Sequence, residues 1–106
     1  AVRPAAVAGS FYSADPTVLA RTIDELLQNA TPNSTARGFI VPHAGLQYSG
    51  PIAATAYAAI ARLTPLPTRV VLLGPSHHVG FEGLALPAVE RRALEALGQA
   101  LAGLHP

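Results

Sequence analysis

The chain has 106 residues, 50% of them apolar and 12% charged, so it can bury the core of one domain or of part of one. Its formal net charge is +1 and its longest basic run is Arg91-Arg92, which argues against nucleic acids and anionic membrane surfaces as partners. It contains no cysteine, which excludes disulfides and thiolate ligands from this chain, and no apolar run approaches the ~20 residues of a membrane span. These features predict a cytoplasmic protein.

An apolar arm and a capped helix open the chain. Residues 2–12 hold apolar and aromatic side chains without a clear period. Asp15 then predicts a helix start, because its carboxylate can accept from free amides of the first turn and Pro16 suits the first helical position. We expect this helix to run to about Ala30, with an apolar face at helical spacing. That face consists of Leu19, Ile23, Leu26 and Leu27.

Two short apolar runs, residues 38–41 and 70–73, predict buried strands. Between them, Ser49 can cap a helix from Pro51 to Arg62, whose many alanines would let it lie close to a sheet. Strand, helix and strand in this order predict a right-handed βαβ unit with parallel strands. Residues 84–86 predict a short third strand and residues 90–102 a third helix. The pattern indicates an α/β fold.

A histidine motif directly follows each of the first two predicted strands. The first motif places His43 between Pro42 and Ala44, and the second contains His77 and His78. Because parallel strands end at one rim of a sheet, we expect His43 and His77 to share the rim where open α/β sheets bind ligands. Paired imidazoles there are a common way to hold a divalent metal. The ordinary alternative is a loop histidine that bonds to the backbone.

Other side chains near these loops are candidates for further roles. Neighbouring side chains of an extended segment point in opposite directions, so we assign His77 to the metal and His78 to a catalytic or substrate-facing role. Glu82 is a candidate carboxylate for a two-His-one-carboxylate iron set, and a solvated glutamate is its ordinary alternative. The candidate substrate-binding residues, whose alternative is ordinary packing, are Phe11, Tyr12, Tyr48 and Ser76.

Three motifs, in this order along the chain, resemble the Memo family, the proteins also called AmmeMemoRadiSam system protein B. They reach to about Pro87, which corresponds to the N-terminal third of a family member. We therefore expect residues 1–106 to form a single domain that is the N-terminal portion of a larger Memo-like α/β domain. The motifs are Arg3-Pro4-Ala5-Ala6-Val7-Ala8-Gly9-Ser10-Phe11-Tyr12, then Val41-Pro42-His43-Ala44-Gly45 with Tyr48-Ser49-Gly50-Pro51, and Leu73-Gly74-Pro75-Ser76-His77-His78-Val79.

The resemblance implies a three-layer fold similar to the LigB-type class III extradiol dioxygenases, with a mainly parallel central sheet flanked by helices. It also implies a mononuclear iron or copper pocket lined by two histidines, which fall on His43 and His77, and by a cysteine. Because this chain has no cysteine, either the third ligand comes from outside these residues or this protein does not build the full site. The sequence departs from the family's usual pattern at Leu46, where an aromatic residue is common, and after Pro87.

Two classes of function follow from these features. The first is a Memo-like metal-dependent oxidoreductase or vestigial dioxygenase that binds a small phenolic substrate at the metal. The second is a binding module that takes up a phenolic or peptide ligand without catalysis. The resemblance also implies radical SAM and AMMECR1-like partner proteins. A scaffold subunit whose histidines only pack is a third alternative.

Overall fold

The computed structural model describes residues 2–86 and 91–92, which form two helices and one pair of very short strands. In chain order these are β1 (Val2–Arg3), α1 (Pro16–Asn29), α2 (Leu46–Ala61) and β2 (Arg91–Arg92). The strands β1 and β2 are parallel, with Val2 opposite Arg91 and Arg3 opposite Arg92. Neither helix in this part of the chain combines the length and apolar character that crossing a membrane requires.

Helix α1 begins and ends where the sequence predicts. The Asp15 carboxylate Oδ1 accepts hydrogen bonds from the amides of Thr17 at 2.8 Å and Val18 at 3.3 Å, which satisfies two of the free amides of the first turn. Pro16 occupies the start of the helix, where a missing amide costs nothing. The helix ends at Asn29, and the backbone of the next residue, Ala30, is extended. The Ala30 N–H still donates a hydrogen bond to the Leu27 carbonyl. The predicted cap and bounds are confirmed.

Helix α2 begins five residues earlier than the predicted start at Pro51. Its cap position is Gly45, and Ser49 lies inside the helix rather than at its start. The Ser49 hydroxyl instead donates backwards to the carbonyls of Ala44 at 2.6 Å and Gly45 at 3.3 Å. Pro51 is the sixth residue of the helix, so its missing amide removes one backbone bond there. The prediction that Ser49 caps this helix is wrong.

The two helices pack against each other around a small core. Leu19 and Ile23 of α1 are buried, and the side chains packed against them are those of Tyr12, Leu27 and Leu46. The helices approach closely at Gly50, where a Cβ would lie 2.8 Å from Leu26 Cδ1. Small side chains on α2 complete the buried surface; they are Ala54, Ala58 and Ala59. The alanine-rich helix packs closely against α1, whereas the close packing on a sheet that its composition predicts is not seen among the described residues.

The apolar runs expected to form buried strands are not in strands here, and none of their side chains is buried. Ile40 is 104% exposed and Val71 is 86% exposed, and residues 84–86 likewise form no strand. A buried strand needs paired neighbours and a cover on both faces, and the described residues supply neither. In the predicted helix 90–102, Arg91–Arg92 form β2, and the remaining residues lie outside the described part. The three-layer α/β fold class stays a prediction.

Candidate metal and ligand site

The two histidines for which the sequence predicts a shared site lie side by side. The centres of the His43 and His77 rings are 5.2 Å apart, with 44° between the ring planes. The His78 ring lies next to that of His77, at 6.5 Å between centres and 62° between planes. All three imidazoles are exposed, so water and solutes can reach them. The arrangement presents a pair of nitrogen donors with a third imidazole beside it.

The loop that carries His43 is tied to α2 and to the N-terminal arm. Ser49, only 5% exposed, binds the carbonyl of Ala44, the residue directly after His43. One turn nearer the start of α2, the Leu46 amide donates to the Phe11 carbonyl at 2.8 Å. A carbonyl from a distant segment therefore satisfies a free amide of the first helical turn, where no side chain caps the helix. These two bonds fix the backbone that follows His43.

The loop that carries His77 is closed by its own serine. The Ser76 hydroxyl donates to the Val79 carbonyl at 2.5 Å, so the bond spans both His77 and His78. Residues 76–80 are all exposed. The sequence predicts that Ser76 binds substrate. In the structure its hydroxyl bonds within the loop, so the assignment to substrate stays a prediction.

Three of the four candidate substrate-binding residues line one cleft. Phe11, Tyr12 and Tyr48 surround a space of about 460 Å³ between the arm, α1 and α2, and Ser76 lies outside its lining. Phe11 is 49% and Tyr48 74% exposed, so both rings offer accessible aromatic surface. The arm turns at Gly9, which has a φ of +85°, a conformation that glycine adopts readily. The Gly9 amide donates a hydrogen bond to the Tyr12 carbonyl at 2.7 Å. This turn sets Phe11 and Tyr12 against the start of α2.

Sequence reasoning missed two contributors to this region. Thr22 of α1 and Gln47 of α2 line the same cleft and supply polar groups beside its aromatic wall. The helical spacing of Thr22 from Leu19 and Leu26 was the available signal, since residues three and four apart share one helix face. Gln47 was hidden because the predicted helix began after it.

The charged and titratable groups add little to the histidine pair. Within residues 2–86 and 91–92, no three His, Cys, Asp or Glu side chains lie close enough together to hold an ion, so Glu82 does not complete a triad there. Burial raises the pKa of the Tyr57 phenol, which belongs to α2. The donor set that the described residues assemble is therefore two imidazoles.

Comparisons with known proteins give a consistent result. A family model described as Memo-like protein matches residues 3–96. The chain is 43% identical over 89 residues to a MEMO1 family protein of Sulfolobus acidocaldarius, covering 72% of this chain and 31% of that protein. It is 43% identical over 89 residues to Protein MEMO1 of Xenopus laevis, covering 83% of this chain and 29% of the relative.

A yeast relative extends the same pattern. The MEMO1 family protein MHO1 of Saccharomyces cerevisiae is 40% identical over 88 residues, covering 80% of this chain and 26% of that protein. The chain thus spans about a third or less of the length of these curated relatives. No solved structure matches it significantly.

Proposed function

This chain belongs to the Memo-like protein family, and from that premise we propose that His43 and His77 supply two imidazole ligands to one metal ion. The observation that supports the proposal is the 5.2 Å separation of their ring centres. The activity proposed for the whole protein is that of a metal-dependent oxidoreductase or a vestigial dioxygenase. A LigB-like three-layer α/β fold is part of the same proposal.

The geometry of the pair fits one shared ion. An imidazole nitrogen lies about 2.0–2.1 Å from a bound zinc-like ion, so two rings that share an ion have centres roughly 4.5–6 Å apart. The measured separation of 5.2 Å lies within that range. Imidazole donors suit iron, copper and zinc, whereas magnesium and calcium prefer oxygen. Two donors leave several coordination positions open, and with no cysteine in the chain we propose that the third ligand comes from outside it.

The chain's own residues divide the remaining tasks. An iron or copper ion, when bound, supplies redox and Lewis-acid chemistry. We propose that His78, which lies beside His77 and is exposed to solvent, holds or transfers a proton near the pair. In the cleft, whose lining includes none of the three histidines, Phe11 and Tyr48 offer ring faces on which a small phenolic ligand can stack.

A metal titration of the 106-residue protein tests the proposal. We expect calorimetry with Cu(II), and with Fe(II) under anaerobic conditions, to give one ion per chain. The double variant His43→Ala, His77→Ala should lose this binding, because it removes both donors. The matched control His78→Ala keeps both proposed ligands and should retain the wild-type stoichiometry. Wild-type affinity in the double variant would refute the metal site.

The cleft favours a second candidate, a binding module for a phenolic or peptide ligand. Its volume of about 460 Å³ lies within the ~300–1,000 Å³ of small-molecule sites, and its wall contains Phe11, Tyr12 and Tyr48. Titration with a tyrosyl peptide, with and without chelator, separates the two candidates. Binding that persists in chelator and weakens in Tyr48→Ala supports the module, whereas binding only with metal supports the metal site. Partnership with radical SAM and AMMECR1-like proteins stays a prediction.

A further inference from the structure

Two serine hydroxyls each form a hydrogen bond next to one of the paired histidines. Ser49 Oγ donates to the carbonyl of Ala44, immediately after His43, at 2.6 Å. Ser76 Oγ donates to the carbonyl of Val79 at 2.5 Å and so closes the turn that contains His77. Both distances lie at the short end for hydroxyl-to-carbonyl bonds. The first bond anchors the residue after His43 to α2, and the second closes the turn that contains His77 and His78.

We infer that Ser49 and Ser76 are positioning residues that hold the His43 and His77 imidazoles next to each other. This rests on the proposed metal site for its functional meaning. Both histidines lie on exposed segments outside the helices, and the described residues give their backbones no ladder partner. A free loop samples many conformations, and each local bond that closes it removes some of them. Donors that stay adjacent before the ion arrives bind it more tightly than donors that must first be ordered.

The two serines differ in how strongly they should act. Ser49 is buried within α2, so its hydroxyl has little access to water, and its bond to Ala44 anchors the residue after His43 to a helix. Ser76 is exposed, so water can replace its hydroxyl more readily. Removing Ser49 should therefore loosen the histidine pair more than removing Ser76. The net value of a single protein hydrogen bond corresponds to roughly 2- to 12-fold in an equilibrium constant.

The matched controls come from hydroxyls that bond elsewhere. Thr55 lies on the same helix as Ser49, and its Oγ1 donates to the Pro51 carbonyl at 3.3 Å, within the helix. Ser34 accepts from the Ala36 amide at 3.0 Å in a different exposed segment. The variants Thr55→Ala and Ser34→Ala thus remove a hydroxyl of similar kind without touching either histidine loop.

A metal-free measurement tests the positioning role directly. We expect NMR of the 106-residue protein to show a nuclear Overhauser contact between the His43 and His77 ring protons. The double variant Ser49→Ala, Ser76→Ala should weaken or lose this contact, whereas Thr55→Ala and Ser34→Ala should keep it. Ser76→Thr, which retains a hydroxyl, should keep the contact as well. Circular dichroism that shows unchanged helix content separates loop loosening from unfolding.

Cu(II) affinity then links positioning to the proposed site. Each serine variant should bind Cu(II) about 2- to 12-fold more weakly at unchanged stoichiometry, with Ser49→Ala the weaker binder. An unchanged ring contact in the double serine variant, or no contact in the unsubstituted protein, would overturn the positioning role. If the serine variants lose the ring contact while His43→Ala, His77→Ala keeps its metal, the proposed function fails and the positioning role stands.

Discussion

The arm that forms one wall of the aromatic cleft depends on a backbone conformation that only glycine adopts easily. Gly9 has φ of +85°, and a Cβ there would meet only Ala14 Cβ, at the ordinary contact distance of 3.8 Å. Gly9→Ala is therefore a test of backbone strain and not of crowding. A left-handed conformation costs an L-residue about 1–2 kcal/mol, so we expect the variant to lose about that much free energy of unfolding. This corresponds to roughly a 5- to 30-fold change in the folding equilibrium.

Gly38→Ala is the matched control for this experiment. No atom lies within 4 Å of a Cβ at Gly38, and its φ is outside the left-handed region. Alanine there should be neutral or stabilising by about 0.4–1 kcal/mol, because it restricts the unfolded chain. Urea denaturation followed by tyrosine fluorescence measures both variants, since the chain has three tyrosines and no tryptophan. Equal stabilities for Gly9→Ala and Gly38→Ala would refute the assignment of strain to Gly9.

Two further predictions concern the helices. Leu19 is 3% exposed, so Leu19→Ala should lower the free energy of unfolding by about 2–5 kcal/mol in urea denaturation. The control Val18→Ala, at an exposed neighbouring residue, should change this free energy far less. Similar losses in the two variants would contradict the burial of Leu19 in the core. Burial raises the pKa of Tyr57, so the folded state holds the phenolic proton more tightly than the unfolded state does. The stability that results is complete below the ordinary pKa near 10 and is lost as pH rises through the raised pKa. Tyr57→Phe should remove this alkaline loss in denaturation experiments that extend above about pH 10, and Tyr48→Phe should leave it in place. A pH profile unchanged by Tyr57→Phe would contradict the burial of that phenol.

The elements that the sequence predicts correctly are those with local causes. Helix α1 carries its start signal in Asp15 and Pro16 and its apolar face in the same fourteen residues. Helix α2 starts early because the Phe11 carbonyl accepts a hydrogen bond from the Leu46 amide in its first turn. Phe11 lies 35 residues before Leu46 in the chain. The residues around Leu46 contain no local sequence signal that indicates so distant a hydrogen-bond partner. Ser49 and Pro51 were therefore misleading start signals.

The histidine pair shows a different relation between sequence and structure. The sequence predicts that His43 and His77 are adjacent because they follow parallel strands, yet residues 38–41 and 70–73 are not in strands here. The rings are nonetheless 5.2 Å apart, beside hydrogen bonds in which Ser49 anchors Ala44 to α2 and Ser76 closes the turn at His77. Strand formation needs pairing partners from elsewhere, which a local apolar pattern cannot supply. Loop closure by a hydroxyl needs only a nearby carbonyl.

The uncovered apolar run at residues 70–73 also has a consequence for colloidal behaviour. Its four side chains are more than half exposed, and short uncharged apolar segments of this kind are templates for cross-β fibres. The segment is bounded by the cationic Arg69 on one side and by Gly74 and Pro75 on the other. A charge and a proline at these positions act as gatekeepers, because the first repels an identical strand and the second cannot donate to one. We therefore expect substitution of Arg69 or Pro75 to favour fibre growth through this segment.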